Sequence, residues 1–254
     1  MDRDMTETLL ERAVALIKAS SYTVAFTGAG ISHESGVPTF RGPDGLWSRY
    51  DPRVLEIDFF FRHPKESWAA IREMFFSADH PPEPNPAHLL LARMEAQGLL
   101  HAVITMNIDN LHHRAGSRNV IEYHGNTREA VCTLCRRRYT AREVLGMEAP
   151  PTCSCGGLIK PDFVFFGEAI PAEAYTRSVD EARRAQCLLV VGTAGVVYPA
   201  ASIPHIAERA GAHIIEINPE PSSYTESITE VYLPLKAAEA AILLARHLEI
   251  DLDL

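Results

Sequence analysis

Four cysteines stand in two close pairs, Cys132-x-x-Cys135 and Cys153-x-Cys155, separated by 17 residues. Thiolates on two such turns can close a tetrahedron about one Zn²⁺. The second pair is one residue shorter than the usual knuckle. Pro150-Pro151 before it and Gly156-Gly157 after it suit the tighter turn. Four thiolates leave no open coordination position, so a metal held there is structural. Buried reduced thiols are the bland alternative, and that reading does apply to Cys187, which lies in an apolar run. A second chemical signal is Gly28-Ala29-Gly30, after the apolar run Thr23-Val24-Ala25-Phe26. Glycines let the backbone turn tightly and approach a pyrophosphate, and the N–H groups of a following helix start favour the anion. The third glycine of a dinucleotide fingerprint is missing, since His33 stands there, and alone the signal reads equally as a plain tight turn. Further on, Glu216-Ile217-Asn218-Pro219-Glu220 ends a strand with side chains able to bond ribose hydroxyls, or simply to cap the strand.

These groups need a frame. Leu10, Val14 and Ile17 recur at helical spacing near the start. Asn85-Pro86 reads as an N-cap followed by proline at the first helical position, opening a helix that stops near Gly98. Strands are expected at 23–26, 102–105, 120–123, 187–191 and 213–217. Helices are expected at about 199–209 and over Ala240, Leu243, Leu244 and Leu248. Short apolar strands alternating with helices imply an α/β fold, a doubly wound, Rossmann-like parallel sheet with its binding crevice at the carboxyl ends of the strands. Two segments break the pattern. Residues 43–85, with Trp47, Phe59-Phe60-Phe61 and Trp68, read as irregular helices packed by aromatics, and residues 127–160 carry the four cysteines. The expected division is a nucleotide-binding domain of residues 1–42, 86–126 and 161–254, with a small domain of 43–85 and 127–160 combining helices and a zinc ribbon.

The chain has 254 residues, 46% of them apolar and 22% charged, as in a globular protein. Its net charge of −9 argues against sequence-independent binding to nucleic acid or to an anionic membrane. No apolar run reaches the ~18 residues of a membrane helix, and the start lacks the order of a signal peptide. A cytoplasmic monomer is expected, with five cysteines fitting a metal site better than a disulfide framework.

Residues 28–42, Asn107-Ile108-Asp109 with Leu111-His112, and Tyr123-His124-Gly125-Asn126 occur in one order along the chain. After them come the four cysteines, Lys160-Pro161-Asp162, Phe166-Gly167-Glu168, and Gly192-Thr193 with Val197-Tyr198-Pro199-Ala200. Over residues 8–248 this series resembles the sirtuins, the NAD-dependent protein lysine deacylases, in their prokaryotic form. The resemblance implies a transferase with two bound groups, NAD and one structural Zn²⁺ on Cys132, Cys135, Cys153 and Cys155. It makes His124 the general base, a role that an imidazole of ordinary pKa ~6.5 suits. It places Asn107 and Asp109 on the nicotinamide amide, with Met106 and Ile108 beside them. Phe40 would shield the reactive ribose, and Arg41 would lie near phosphate and ribose. Gly28, Ala29, Gly30 and Ile31, with Gly192, Thr193 and Ala194, would line the phosphates. Asn218 and Glu220 would reach the adenosine ribose, and Ala237, after Lys236, the adenine. The substrate implied is an acyl-lysine peptide lying as a guest strand between Val164, Phe166, Gly167 and Glu168 on one side and Gly195, Val196, Val197 and Tyr198 on the other. Its acyl chain would enter an apolar tunnel, which suits a neutral amide and disfavours a free ammonium. The acyl oxygen itself is the first nucleophile, so neither Ser nor Cys is needed. The products are nicotinamide, free lysine and O-acyl-ADP-ribose.

The chain departs from that pattern at chosen points. Met106 stands where the family usually has Gln, and Ala194 where it usually has Ser. A thioether accepts hydrogen bonds weakly and cannot donate, so weaker NAD binding or slower chemistry is expected. Family members that prefer succinyl groups carry Tyr and Arg where this chain has Ile71 and Met74, so acetyl or longer fatty acyl chains are expected, although Val197 and Tyr198 resemble the succinyl-active branch. Two other readings stay open: mono-ADP-ribosylation of a protein side chain, and a non-catalytic NAD-sensing module.

Overall fold

A computed structural model describes residues 3–40, 45–76 and 81–253. Six strands form one parallel sheet: β1 (Thr23–Thr27), β2 (Ala102–Thr105), β3 (Val120–Glu122), and later β7 (Cys187–Val191), β8 (His213–Ile217) and β9 (Val231–Leu233). Three between them form a second, antiparallel sheet: β4 (Gly125–Cys132), β5 (Arg138–Thr140) and β6 (Ile159–Phe163). The large sheet runs β3-β2-β1-β7-β8-β9. The chain thus winds outward from β1 in one direction, then outward from β7 in the other, and the topological switch lies between these two central strands. Their carboxyl ends are where such a sheet opens a crevice. Every residue of β1, β2 and β7 is buried, which is why they read as unbroken apolar runs rather than alternating ones.

Alternation decides which layer each strand residue serves. Ala25, Val103, Leu189 and Ile215 face one helical layer, made by α1 (Arg3–Ala19), α4 (Pro86–Ala96) and α9 (Ala237–Leu248) through Leu10, Ile17, Met94 and Leu244. Val24, Phe26, Ile104 and Val190 face the opposite layer, made by α7 (Ala172–Arg184) and α8 (Ile203–Arg209) through Val179, Ala182 and Ile203. The cap of α4 forms as its sequence indicates: the Asn85 side chain accepts the Ala87 N–H at 2.9 Å, and Pro86 opens the helix, beside which the short α5 (Leu111–Ala115) packs.

The small sheet packs against α2 (Ile57–Arg62), α3 (Pro64–Phe76) and α6 (Ala141–Leu145), with Phe60, Trp68, Ile71, Val144, Phe163 and Phe165 in its core. Trp68 is buried and donates its indole N–H to the Ile159 carbonyl at 2.9 Å. β3 leads into β4 through two residues only, Tyr123 and His124, and Gly125 pairs at once with Phe163.

Several elements differ from expectation. The strand expected at 120–123 ends at Glu122, so Tyr123 joins His124 in the link between the two sheets. The helix expected from 199 to 209 divides into a 3₁₀ turn, Ala200–Ser202, and α8. The helix expected after the glycines is a single 3₁₀ segment, Ala29–Ser35, halted by Gly36 at φ +82°. α7 and β9 had no clear sequence signal. α7 buries only Ser178, Val179 and Ala182 of thirteen residues, and β9 is three residues long. Among the described residues no helix is long and apolar enough to cross a membrane.

Candidate active site

A cavity of about 610 Å³ opens at the carboxyl ends of β1, β2, β7 and β8, bounded on its other side by the segment after β6. Two glycine turns form its floor. Thr27 and Val191 are register partners, so β1 and β7 leave the sheet together. The Gly28 N–H then bonds Val191 O at 3.0 Å, and the Gly30 N–H bonds Gly192 O at 2.9 Å. A Cβ on Gly30 would lie 2.7 Å from Gly192 Cα, and one on Gly28 would lie 2.8 Å from Gly192 O. Glycine is required here by backbone packed on backbone. Ala29, Gly30, Gly192, Thr193 and Ala194 line the cavity; Gly28 and Ile31 do not, and Ile31 is wholly buried.

A polar network stands beside this floor. Asn107 Nδ2 donates to Ser32 Oγ at 3.0 Å, and Ser32 Oγ donates to Asp109 Oδ2 at 2.7 Å. Beneath them the Asn85 N–H donates to His88 Nδ1 at 3.3 Å. Nδ1 therefore carries no proton, and Nε2–H is the donor toward Ser32 Oγ at 3.3 Å. Donors from His88 and Asn107 leave the serine hydroxyl to point its own hydrogen at Asp109. The Asn85 amide also holds the 3₁₀ segment, bonding Ile31 O at 2.7 Å and Ser35 Oγ at 3.0 Å. Burial raises the Asp109 pKa, opposed by the N–H of Leu111 and the hydroxyl of Ser32. Asn107 lines the cavity, whereas Asp109 lies behind it, joined through Ser32.

His124 enters from the inter-sheet turn. Its Nδ1 lies 3.2 Å from the Met106 carbonyl. A carbonyl only accepts, so Nδ1 is the protonated nitrogen and Nε2 holds the lone pair. Burial lowers the imidazole pKa, offset in part by that bond. The ring is thus neutral at pH 7, a base with its lone pair available. His124, Met106 and Ile108 all line the cavity.

The remaining walls differ in character. Phe40, Trp47 and Phe166 form an aromatic row, with ring centres 5.4 and 6.1 Å apart. Val164, Phe166, Gly167 and Glu168 face Gly195, Val196, Val197 and Tyr198 across the opening, and Phe166, Val196 and Tyr198 are exposed there. Asn218, Glu220 and Ala237 line the cavity as well, with Lys236 and Glu34. The Glu34 carboxylate accepts the Ala238 N–H at 2.7 Å and so caps α9. Arg41 lies outside the described residues. Ile71 and Met74 belong to the small core and do not line the cavity. Ser32, Glu34, Trp47 and His88 were not among the expected site residues. The Asn85–His88 spacing within a helix start was the signal that could have exposed the last.

The four cysteine sulfurs lie within 4.8 Å of one another, with Cys132–Cys155 at 3.5 Å and Cys135–Cys153 at 3.7 Å. Zn–S bonds of about 2.3 Å in a tetrahedron give S···S edges of about 3.8 Å, so the quartet fits one zinc ion. Tyr139 donates its hydroxyl to Cys153 Sγ at 3.0 Å, and a Cβ on Gly157 would lie 2.7 Å from Cys132 Sγ.

Two outcomes follow from this geometry. Metal analysis should find one zinc per chain, and a strong chelator should remove it while unfolding the small sheet, seen as a red shift in tryptophan emission, because such sites supply about 10–16 kcal/mol. A spectrum unchanged after zinc loss would contradict this. The second outcome concerns pH. Burial pushes His88 down to about 4, and His112 in the same direction. Between pH ~6.5 and ~4 the unfolded chain binds these protons and the folded one does not, so stability falls as pH falls through that window. His88 alone accounts for roughly 3 kcal/mol. In His88→Gln, urea titrations at pH 7, 5.5 and 4 should show a shallower decline, and an identical decline would refute the assignment.

A model of the Sir2 family matches residues 28–199. The NAD-dependent protein deacylase 2 of Pyrobaculum aerophilum is 48% identical over 88% of this chain and 90% of its own length. The NAD-dependent protein deacylase of Aeropyrum pernix is 45% identical over 93% of this chain and 96% of its own. A solved complex of Sir2 with a p53 peptide and NAD⁺ superposes with a TM-score of 0.89 at 39% identity, over 95% of this chain and 99% of that one. With the doubly wound sheet, the paired glycine turns and the cysteine quartet in place, the chain belongs to the Sir2 family.

Proposed function

We propose that this protein is an NAD-dependent protein lysine deacylase that releases nicotinamide, free lysine and O-acyl-ADP-ribose. The observation that carries the reading is one cavity lined by both the neutral imidazole of His124 and the amide of Asn107, floored by glycine turns and closed by an apolar wall. Relatives named NAD-dependent protein deacylase and Sir2 structures holding NAD⁺ with peptide support it.

Bound NAD supplies an electrophilic ribose carbon once its bond to nicotinamide breaks. This chain's residues do the rest. Gly30, Gly192 and Thr193 offer close backbone approach to the phosphates. Asn107, steadied by Ser32 and Asp109, orients the carboxamide. Phe40 and Trp47 exclude water from the reacting sugar. His124 Nε2 takes a ribose hydroxyl proton, its Nδ1–H held on Met106 O. Residues 164–168 and 195–198 grip the peptide by its backbone, and Leu55, Ile108, Phe163 and Phe165 make the acyl end apolar. Among the described residues no Lys or Arg lines the cavity beside Leu55, Ile108, Phe163 and Phe165, which favours acetyl or fatty acyl chains over succinyl. We propose alongside it a cytoplasmic monomer that acts on peptides and not on nucleic acid, with a nucleotide domain of residues 1–42, 86–126 and 161–254 and a small domain of 43–85 and 127–160.

Acetyl, succinyl and myristoyl peptides incubated with NAD and read by mass spectrometry test this. O-acyl-ADP-ribose should form from the acetyl or myristoyl peptide, and slowly from the succinyl one. His124→Ala should lower kcat by about 10²–10⁴-fold with zinc content intact. Because burial lowers its pKa, the acid limb of the kcat/KM profile should lie below the ~6.5 of free imidazole. ADP-ribose accumulating on protein without deacylation would overturn the reading. Met106→Gln should lower KM for NAD by roughly 2–10-fold through one added hydrogen bond, and no change would mean another group fills that contact.

A further inference from the structure

Lys160 lies in β6 with its side chain only 9% exposed. Its ammonium has three hydrogens and three acceptors: Pro161 O at 3.0 Å, Phe163 O at 2.5 Å and Glu168 Oε2 at 2.9 Å. It also sits 4.2 Å from the centre of the Phe165 ring. The same Glu168 oxygen accepts the Phe165 backbone N–H at 2.7 Å. The Glu168 N–H closes a turn on Phe165 O at 3.0 Å, with Gly167 at φ +86°. The pair therefore clasps the segment 163–168 at both ends. Outside the clasp, Val164 N–H bonds His124 O at 2.8 Å, and Phe166 is tied through its N–H and C=O to Leu55 and Ile57 at 2.9 and 3.0 Å.

With its hydrogens all engaged, this ammonium has none left for a ligand. Burying an ion pair gives little net stability over an apolar packing of the same shape, since desolvation offsets the attraction. What an ion pair adds is geometry. The geometry it sets here is the backbone and aromatic wall that faces the acyl-lysine.

We propose that the Lys160 ammonium and the Glu168 carboxylate are a positioning pair for substrate, setting residues 163–166 in register with the acyl-lysine peptide while neither charged group touches it. The inference rests on the deacylase reading and corrects one part of it: the Glu168 carboxylate serves the protein's own strand rather than the peptide.

Steady-state kinetics on the zinc-loaded protein test it, with acetyl peptide varied at saturating NAD and the reverse. Lys160→Met and Glu168→Gln should each raise KM for the peptide by about tenfold, equivalent to about 1.4 kcal/mol. KM for NAD should move less than about twofold, and kcat should fall less than KM rises. Lys160→Arg, which can restore a charged donor to Glu168, should recover most of the peptide affinity. NAD binding by calorimetry without peptide should match the unsubstituted protein. Unchanged peptide KM in both variants, or equal losses toward peptide and NAD, would overturn the proposal. So would loss of cooperative unfolding in both variants, since the pair would then serve folding alone. No turnover by the unsubstituted protein with any acyl peptide would instead sink the deacylase reading.

Discussion

The contact on which the site depends is backbone against backbone between Gly30 and Gly192. β1 and β7 are adjacent only because the chain reverses its winding direction between them, and their turns meet where both leave the sheet. Any side chain at either position would have to occupy space already filled by the other turn. The close approach leaves peptide N–H groups and small side chains at the cavity floor, and an anion can come near it without meeting a Cβ. It also fixes where β2 delivers Met106, Asn107 and Ile108, because Thr105 pairs with Thr27 next to the same turn.

The second constraint is the short passage between the sheets. Two residues separate β3 from β4, so the orientation of His124 follows from how the small sheet is held against the large one. That small sheet has three strands, few of them long, and its core of Phe60, Trp68, Phe163 and Phe165 is modest. A unit of this size lacks the buried area to order itself firmly, and a metal cross-link between two of its turns is a physical remedy. The cysteine quartet therefore bears on the placement of the imidazole from a distance. It holds β4 and β6, and β4 begins at the residue after the imidazole.

Much of this was legible in the residue order. Buried parallel strands announce themselves as apolar runs, the Asn85-Pro86 pair marks a helix start, and the cysteine spacings favour a zinc quartet over buried thiols. Turn geometry was less legible. Nothing in Tyr123-His124-Gly125 separates the end of a strand from a two-residue link between sheets, because the distinction lies in the pairing of Gly125 with Phe163, 38 positions away in number. The indirect partners were hidden for a similar reason. His88 reaches Asn107 and Asp109 through Ser32, and Lys160 reaches Glu168 around a turn. α7 was missed because a helix covering one edge of a sheet needs few apolar residues, and β9 because three residues carry almost no periodicity.

The polar groups around the cavity share a feature that bears on why they are kept. His88, His112, Asp109 and Lys160 are all strongly desolvated, and each is pushed toward its neutral form by burial. Groups of this kind lower stability unless partnered, and a domain with only 5–15 kcal/mol in hand tolerates few of them. Here most stand in directed chains with donor and acceptor roles fixed. His88 can only donate to Ser32 because its other nitrogen accepts from Asn85, and His124 can only be a base at Nε2 because Nδ1 faces a carbonyl. Hydrogen-bond direction in this site is thus dictated from the backbone outward. An apolar replacement could keep the shape of the cavity, but it could not keep the direction of its protons.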